Sequence, residues 1–373
     1  MHVTTRIKDR KHENLLREKG FGGFPSLAFM DADGNVLAKP SGRSVKDFES
    51  TLAALGVHAD LEKRIEAGET GLDTLLLLAE HDLGKVDGAT FKTRSEALTD
   101  ATDEQKKRIA QIIIDSEILK IAGQTRRSGI AGPAKQLLAM MEAGKMPSAG
   151  PRVAPRFWSV IHSYAMAERD PELARKAADG MKAALADDKQ AASYIERFDD
   201  QATKLASWKT LHEKVEGGDT ACVTDLTLVE YDLGFLQGSA FVTKAKELLE
   251  GATDEQKVRL EAGMLKAEFV QHTMAGRSRD PSALGSATTA LLALLDAGKV
   301  PPKDVMLPVY GTLARSGIMT KNADLIERAA GLFEASGDKR VVGYVKNLRK
   351  QAAALREAEA ASPADEGGEG EDK

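Results

Sequence analysis

The chain has 373 residues, of which 42% are hydrophobic and 29% charged, and a net charge of −5. That length exceeds what one core usually serves, so two or three domains are expected, and the acidic balance argues against a nucleic-acid surface. No apolar run reaches the length of a membrane span, the N-terminus has no signal-peptide core, and the lone Cys222 excludes an intrachain disulfide, a CxxC pair and a cysteine zinc site.

In chain order, His2 to Ile7 alternates and is β-branched, which predicts a strand. Glu13 to Lys19 follows as a short helix that Gly20 can end. Ser26–Met30 and Val36–Lys39 read as two strands joined at Asp33-Gly34, a pair suited to a tight hairpin turn. Pro25 cannot donate to a sheet and belongs at a strand's first residue. Ser44 is positioned to cap a helix through Leu55, with Phe48, Leu52 and Leu55 on one face.

This order, with Lys19-Gly20, Gly23-Phe24-Pro25-Ser26, Leu27-Ala28-Phe29-Met30-Asp31, Gly34 and Gly42, resembles the C-terminal half of a thioredoxin-like domain. The resemblance implies that Gly23, Phe24, Pro25 and Ser26 form the family's cis-proline loop, a candidate peptide-binding element, with Phe24-Pro25 in the cis form. It also implies a departure. In the family, the central strand and the CxxC helix precede the strand that His2–Ile7 resembles, and here Met1 stands where that half should have ended. The expectation is half a fold with open strand edges, through which copies could associate.

Beyond Leu55 the sequence turns helical and repeats itself. Leu61–Thr70 recurs as Leu211–Thr220, Glu80–Gly84 as Glu230–Gly234, Ala101–Lys106 as Ala252–Lys257, and Leu137–Pro147 as Leu291–Pro301. The order is kept, so a block of about 150 residues, one domain's worth, is duplicated. Thr102-Asp103-Glu104-Gln105 and Thr253-Asp254-Glu255-Gln256 predict capping boxes. Ile109, Ile112, Ile113 and Ser116 mark an inward face, and Ala143-Gly144-Lys145-Met146-Pro147 with its repeat predicts helix stops. The expected fold class is mainly α: a partial thioredoxin-like α/β segment over residues 1–56, then two tandem solenoid-like helical blocks over 57–206 and 207–358. The blocks are weakly similar to tetratricopeptide-type repeats, without that family's short period or signature residues. Residues 359–373, dense in Glu and Asp, predict a disordered acidic tail.

No stretch predicts catalysis. Cys222 replaces Leu72 of the first block and reads as a small buried hydrophobe. The seven histidines form no short-spaced ligand pair, so no metal or cofactor is expected. Asp31–Asn35 lacks the ligand spacing of a calcium loop. Phe157-Trp158 and Trp208 read as core. Two functions follow. One is a non-catalytic interaction or scaffold protein with a redox-inactive thioredoxin-like remnant and a protein or peptide partner. The other is a thioredoxin-family thiol-disulfide oxidoreductase whose CxxC half is missing from this chain. The compartment is cytoplasmic by default, although a signal lost with the missing half would leave no trace.

Overall fold

The computed structural model describes residues 15–361 except Gly23–Pro25, Ser41, Arg43, Asp187, Lys189, Gln190 and Arg279, and gives the backbone alone at residues 127, 128, 359 and 361. It is mainly helical and carries a single two-stranded sheet among the described residues. The predicted strand His2–Ile7 and most of the acidic tail lie outside those residues.

The chain opens with α1 (Leu15–Glu18), β1 (Phe29–Met30), β2 (Val36–Ala38) and α2 (Val45–Glu66). The two strands pair antiparallel, Phe29 with Ala38 and Met30 with Val36, with a bulge between. The strand predicted from Ser26 begins only at Phe29. Gly34 takes a positive φ and donates its N–H to the Asp31 carbonyl, closing the turn. The Asp31 carboxylate accepts from the side chain and backbone of Asn35, which holds its pKa below the usual range. The turn acids therefore brace the hairpin from within.

Helix α2 corrects two expectations. The helix predicted to end at Leu55 runs unbroken to Glu66, so a division at residue 56 would fall inside it. One interior glycine, Gly56, costs about 1 kcal/mol in a helix and does not stop it. The buried face is Thr51, His58 and Leu61, while Leu52 is 59% exposed. The reason is the partner: α2 packs against α3 (Asp73–Asp82), and Leu61 joins Leu72 and Ala79 in a shared cluster. Only Phe48 of the predicted stripe finds an aromatic neighbour, the Phe29 ring at 5.8 Å.

Next come α4 (Gly88–Glu96), α5 (Asp103–Gly123), α6 (Thr125–Ser128), α7 (Ala131–Glu142), α8 (Ala154–Glu168), α9 (Pro171–Ala184) and α10 (Ala192–Glu216). Then follow α11 (Val223–Leu233), α12 (Gly238–Leu248), α13 (Asp254–Ala275), α14 (Pro281–Asp296), α15 (Lys303–Thr320), α16 (Ala323–Ala335) and α17 (Val342–Ala361). The chain divides into two compact units, Met1–Ala202 and Thr203–Lys373. Within each unit, neighbouring helices pack as antiparallel pairs such as α8 with α9, and α15 with α16.

The starts and stops have local causes. Thr102 and Thr253 each accept from the N–H three residues on, and Gln105 and Gln256 return the bond to the cap N–H, so both capping boxes form. Gly144 and Gly298 take positive φ just past α7 and α14 and let the chain turn out of each helix. The cores are apolar stripes at helical spacing: Phe157, Trp158, Ile161 and Ala165 on α8 are buried, as are Val309, Tyr310, Leu313 and Ala314 on α15.

Candidate functional site

Two regions qualify. The first is the glycine loop before the hairpin. Gly23, Phe24 and Pro25 lie outside the described residues; Ser26 is half-buried just ahead of β1. Lys39 on β2 reaches back to this loop, donating to the Gly20 carbonyl at 2.9 Å and lying 4.5 Å from the centre of the Phe21 ring. The loop is thus tied to the hairpin through one lysine.

The second region is a groove that occurs at the same place in both units. In the first unit it lies over the turn from α3 to α4 and along α5, with a volume of about 710 Å³. In the second it lies over the turn from α11 to α12 and along α13, with about 830 Å³. The linings share equivalent positions, His81 with Tyr231, Gly84 with Gly234, Gly88 with Gly238 and Lys120 with Gln271, while Val242, Met264 and Glu268, the equivalents of Lys92, Ile113 and Glu117, line an adjoining cavity.

Each groove wall is held by the same two ion pairs. Glu80 meets Arg94 at 2.5 Å in the first unit, and Glu230 meets Lys244 at 3.5 Å in the second. Arg108 donates to Asp82 at 2.6 Å, and Arg259 to Asp232 at 3.4 Å. Burial works to raise the Asp82 carboxyl, but the neighbouring His81 ring and the hydrogen bonds from Arg108 outweigh it and hold the group below the usual range. These pairs join α3 to α4 and to α5 (α11 to α12 and to α13).

The aromatic behind each groove differs. His81 sits 5.0 Å from the Phe91 ring. Tyr231 stacks on Phe241 at 3.9 Å and donates its hydroxyl to the Gly263 carbonyl at 3.1 Å. Burial, together with Asp304 and Asp232, pushes the Tyr231 phenol up to about 12, so it stays a donor. A Cβ on Gly263 would come within 2.8 Å of Phe241, and the equivalent residue beside the smaller His81 is Ile112. Ring and neighbour have changed size together.

The remaining candidates have structural roles. Cys222 is half-buried, where a buried position was expected, because it stands just ahead of α11 at its first turn and not on its buried face. Its thiol donates to Asp219 at 3.3 Å, and that bond raises its pKa, the opposite of what a nucleophile needs. Phe157, Trp158 and Trp208 are buried. Among the described residues no group of three His, Cys, Asp or Glu side chains could hold a metal ion, and no helix is long and apolar enough to cross a membrane. The groove residues were missed by motif reading because they form no motif. The signal was in the repeat: Lys92 against Val242 and Lys120 against Gln271 are charge changes at otherwise parallel positions.

Comparison with models of protein families, with characterised proteins and with solved structures finds no match.

Proposed function

We propose that this chain is a non-catalytic protein-interaction protein. Its two helical units each present a binding groove, and its N-terminal segment is a redox-inactive thioredoxin-like remnant whose loop, Gly23–Ser26, adds a peptide-binding edge. The observation that carries the reading is the recurrence of one groove at equivalent positions, with its wall ion pairs kept and its lining changed. Duplicated helical arrays offer extended surfaces whose side chains can vary while the scaffold stays fixed. The lone thiol supports the same reading, since Asp219 holds it protonated.

The test is site-specific cross-linking in the cells that make the protein. Benzoylphenylalanine replacing Lys92 or Gln271 should give discrete cross-linked protein bands on irradiation, and the same group at the exposed Lys107 should not. A folded protein that gives no band at either groove position sinks the reading. So does insulin-disulfide reduction above background that is lost in Cys222→Ser.

A further inference from the structure

Taking the grooves as interaction sites, we infer that the groove of the first unit takes an acidic, partly apolar segment of a partner protein, and that the groove of the second does not. Three cations line the first: Lys92 on α4, Lys120 on α5 and Arg152 ahead of α8. None of them makes an ion pair among the described residues. Two carboxylates lie beside them, Glu117 and Asp87, the latter capping α4 by accepting from the Thr90 N–H at 2.8 Å, so three positive charges face two negative ones and the lining stays net positive.

In the second unit the equivalent positions are Val242, Gln271 and Asp304. The cations that do line that groove are spoken for: Lys266 binds Asp304 at 2.5 Å and Lys204 lies 4.0 Å from Asp232. One groove therefore carries uncommitted positive charge and its duplicate carries none.

The shape of the first groove decides what kind of anion fits. Its floor includes half-buried Val86, Ile113 and Leu119. Ile113, Glu117 and Lys120 fall on one stripe of α5, about 10 Å along its axis, the reach of about three extended residues. The cations come from three separate elements and line an open trough; no buried donors converge on a point, as a phosphate pocket would require. Carboxylates along the rim with apolar side chains on the floor match that layout.

The experiment uses the full chain and a fluorescein-labelled octapeptide of alternating Glu and Leu, followed by anisotropy. Binding should weaken as salt rises and fall on the order of tenfold in Lys92→Glu/Lys120→Glu/Arg152→Glu. Val242→Glu/Gln271→Glu at the equivalent positions of the second unit should leave it unchanged. If the triple variant does not fold, the converse settles the matter: Val242→Lys/Gln271→Lys should add a second binding site. Unchanged binding in a folded triple variant, equal binding of a Lys/Leu peptide, or displacement by inorganic phosphate would each overturn the inference. Cross-linked bands at Lys92 without acidic-peptide binding would leave the interaction reading standing and remove only the partner's chemistry.

Discussion

The two units solve the same packing problem with different residues, and the differences come in pairs. On α8 and α9, Trp158 sits against Gly180, where a Cβ would fall inside the indole; the equivalent pair on α15 and α16 is Tyr310 and Leu332. Behind the grooves, His81 with Ile112 corresponds to Tyr231 with Gly263. Between α9 and α10, Arg175 pairs with Asp199; between α16 and α17 the charges are exchanged, Glu327 with Arg349 at 3.1 Å. Protein interiors pack at near-crystalline density, so a change at one contact position demands an answer at its neighbour. Some groove-lining positions follow no such pairing. Lys92 and Val242 differ without a compensating partner, which is how positions free to vary for binding should look.

The largest expected effect comes from breaking a volume pair. Gly180→Leu, importing the residue of the second unit, should destabilise the first by about 3 kcal/mol in urea denaturation, because the indole has nowhere to go. Adding Trp158→Tyr completes the imported pair and should recover most of that loss. If the double variant stays as unstable as the single, the two units do not share one packing scheme.

A second contrast concerns charge inside the core. His162 on α8 is buried, its ring 4.2 Å from Phe198 and its Nε2 without a hydrogen-bond partner; the equivalent residue on α15 is the buried Ala314. Burial pulls the His162 pKa down to about 4; a hydrogen bond with the Phe198 backbone opposes this and Arg197 adds to it. The folded value lies below the unfolded one, so between the two the unfolded chain binds more protons. The stability is whole above the unfolded pKa and is lost as pH falls toward the folded value. From about pH 7 to pH 5 the first unit should lose about 2 kcal/mol from this group, a slope that His162→Phe removes. An unaltered slope in the variant would assign the acid sensitivity elsewhere.

What the sequence made legible was whatever local chemistry decides. The capping boxes at Thr102 and Thr253 and the stops at Gly144 and Gly298 depend on residues within a few positions, and they form as expected. The length of α2 and its inward face were not legible. They are set by Leu72 just ahead of α3 and Ala79 on it, a neighbour that no local pattern around Phe48 and Leu52 announces. The groove is harder still, since Val86, Lys92, Ile113 and Arg152 come from separate elements and meet only once the helices pack. Comparing the two blocks position by position would have found its charge changes, because a duplicated scaffold supplies its own control.

The smallest effect tests the exchanged ion pair. Arg175 and Asp199 are both partly exposed, with side chains 39% and 58% accessible, so water and salt screen them and the pair contributes about 0.5 kcal/mol. Arg175→Glu should cost about that much plus a comparable repulsion from Asp199, most visible at low salt. Arg175→Glu/Asp199→Arg, which copies the polarity of Glu327 and Arg349, should restore the parent stability. The contact needs opposite charges and is indifferent to which helix carries which. If the double reversal fails to restore it, polarity is fixed by the surroundings of each unit, and the two hairpins are less interchangeable than their buried faces make them.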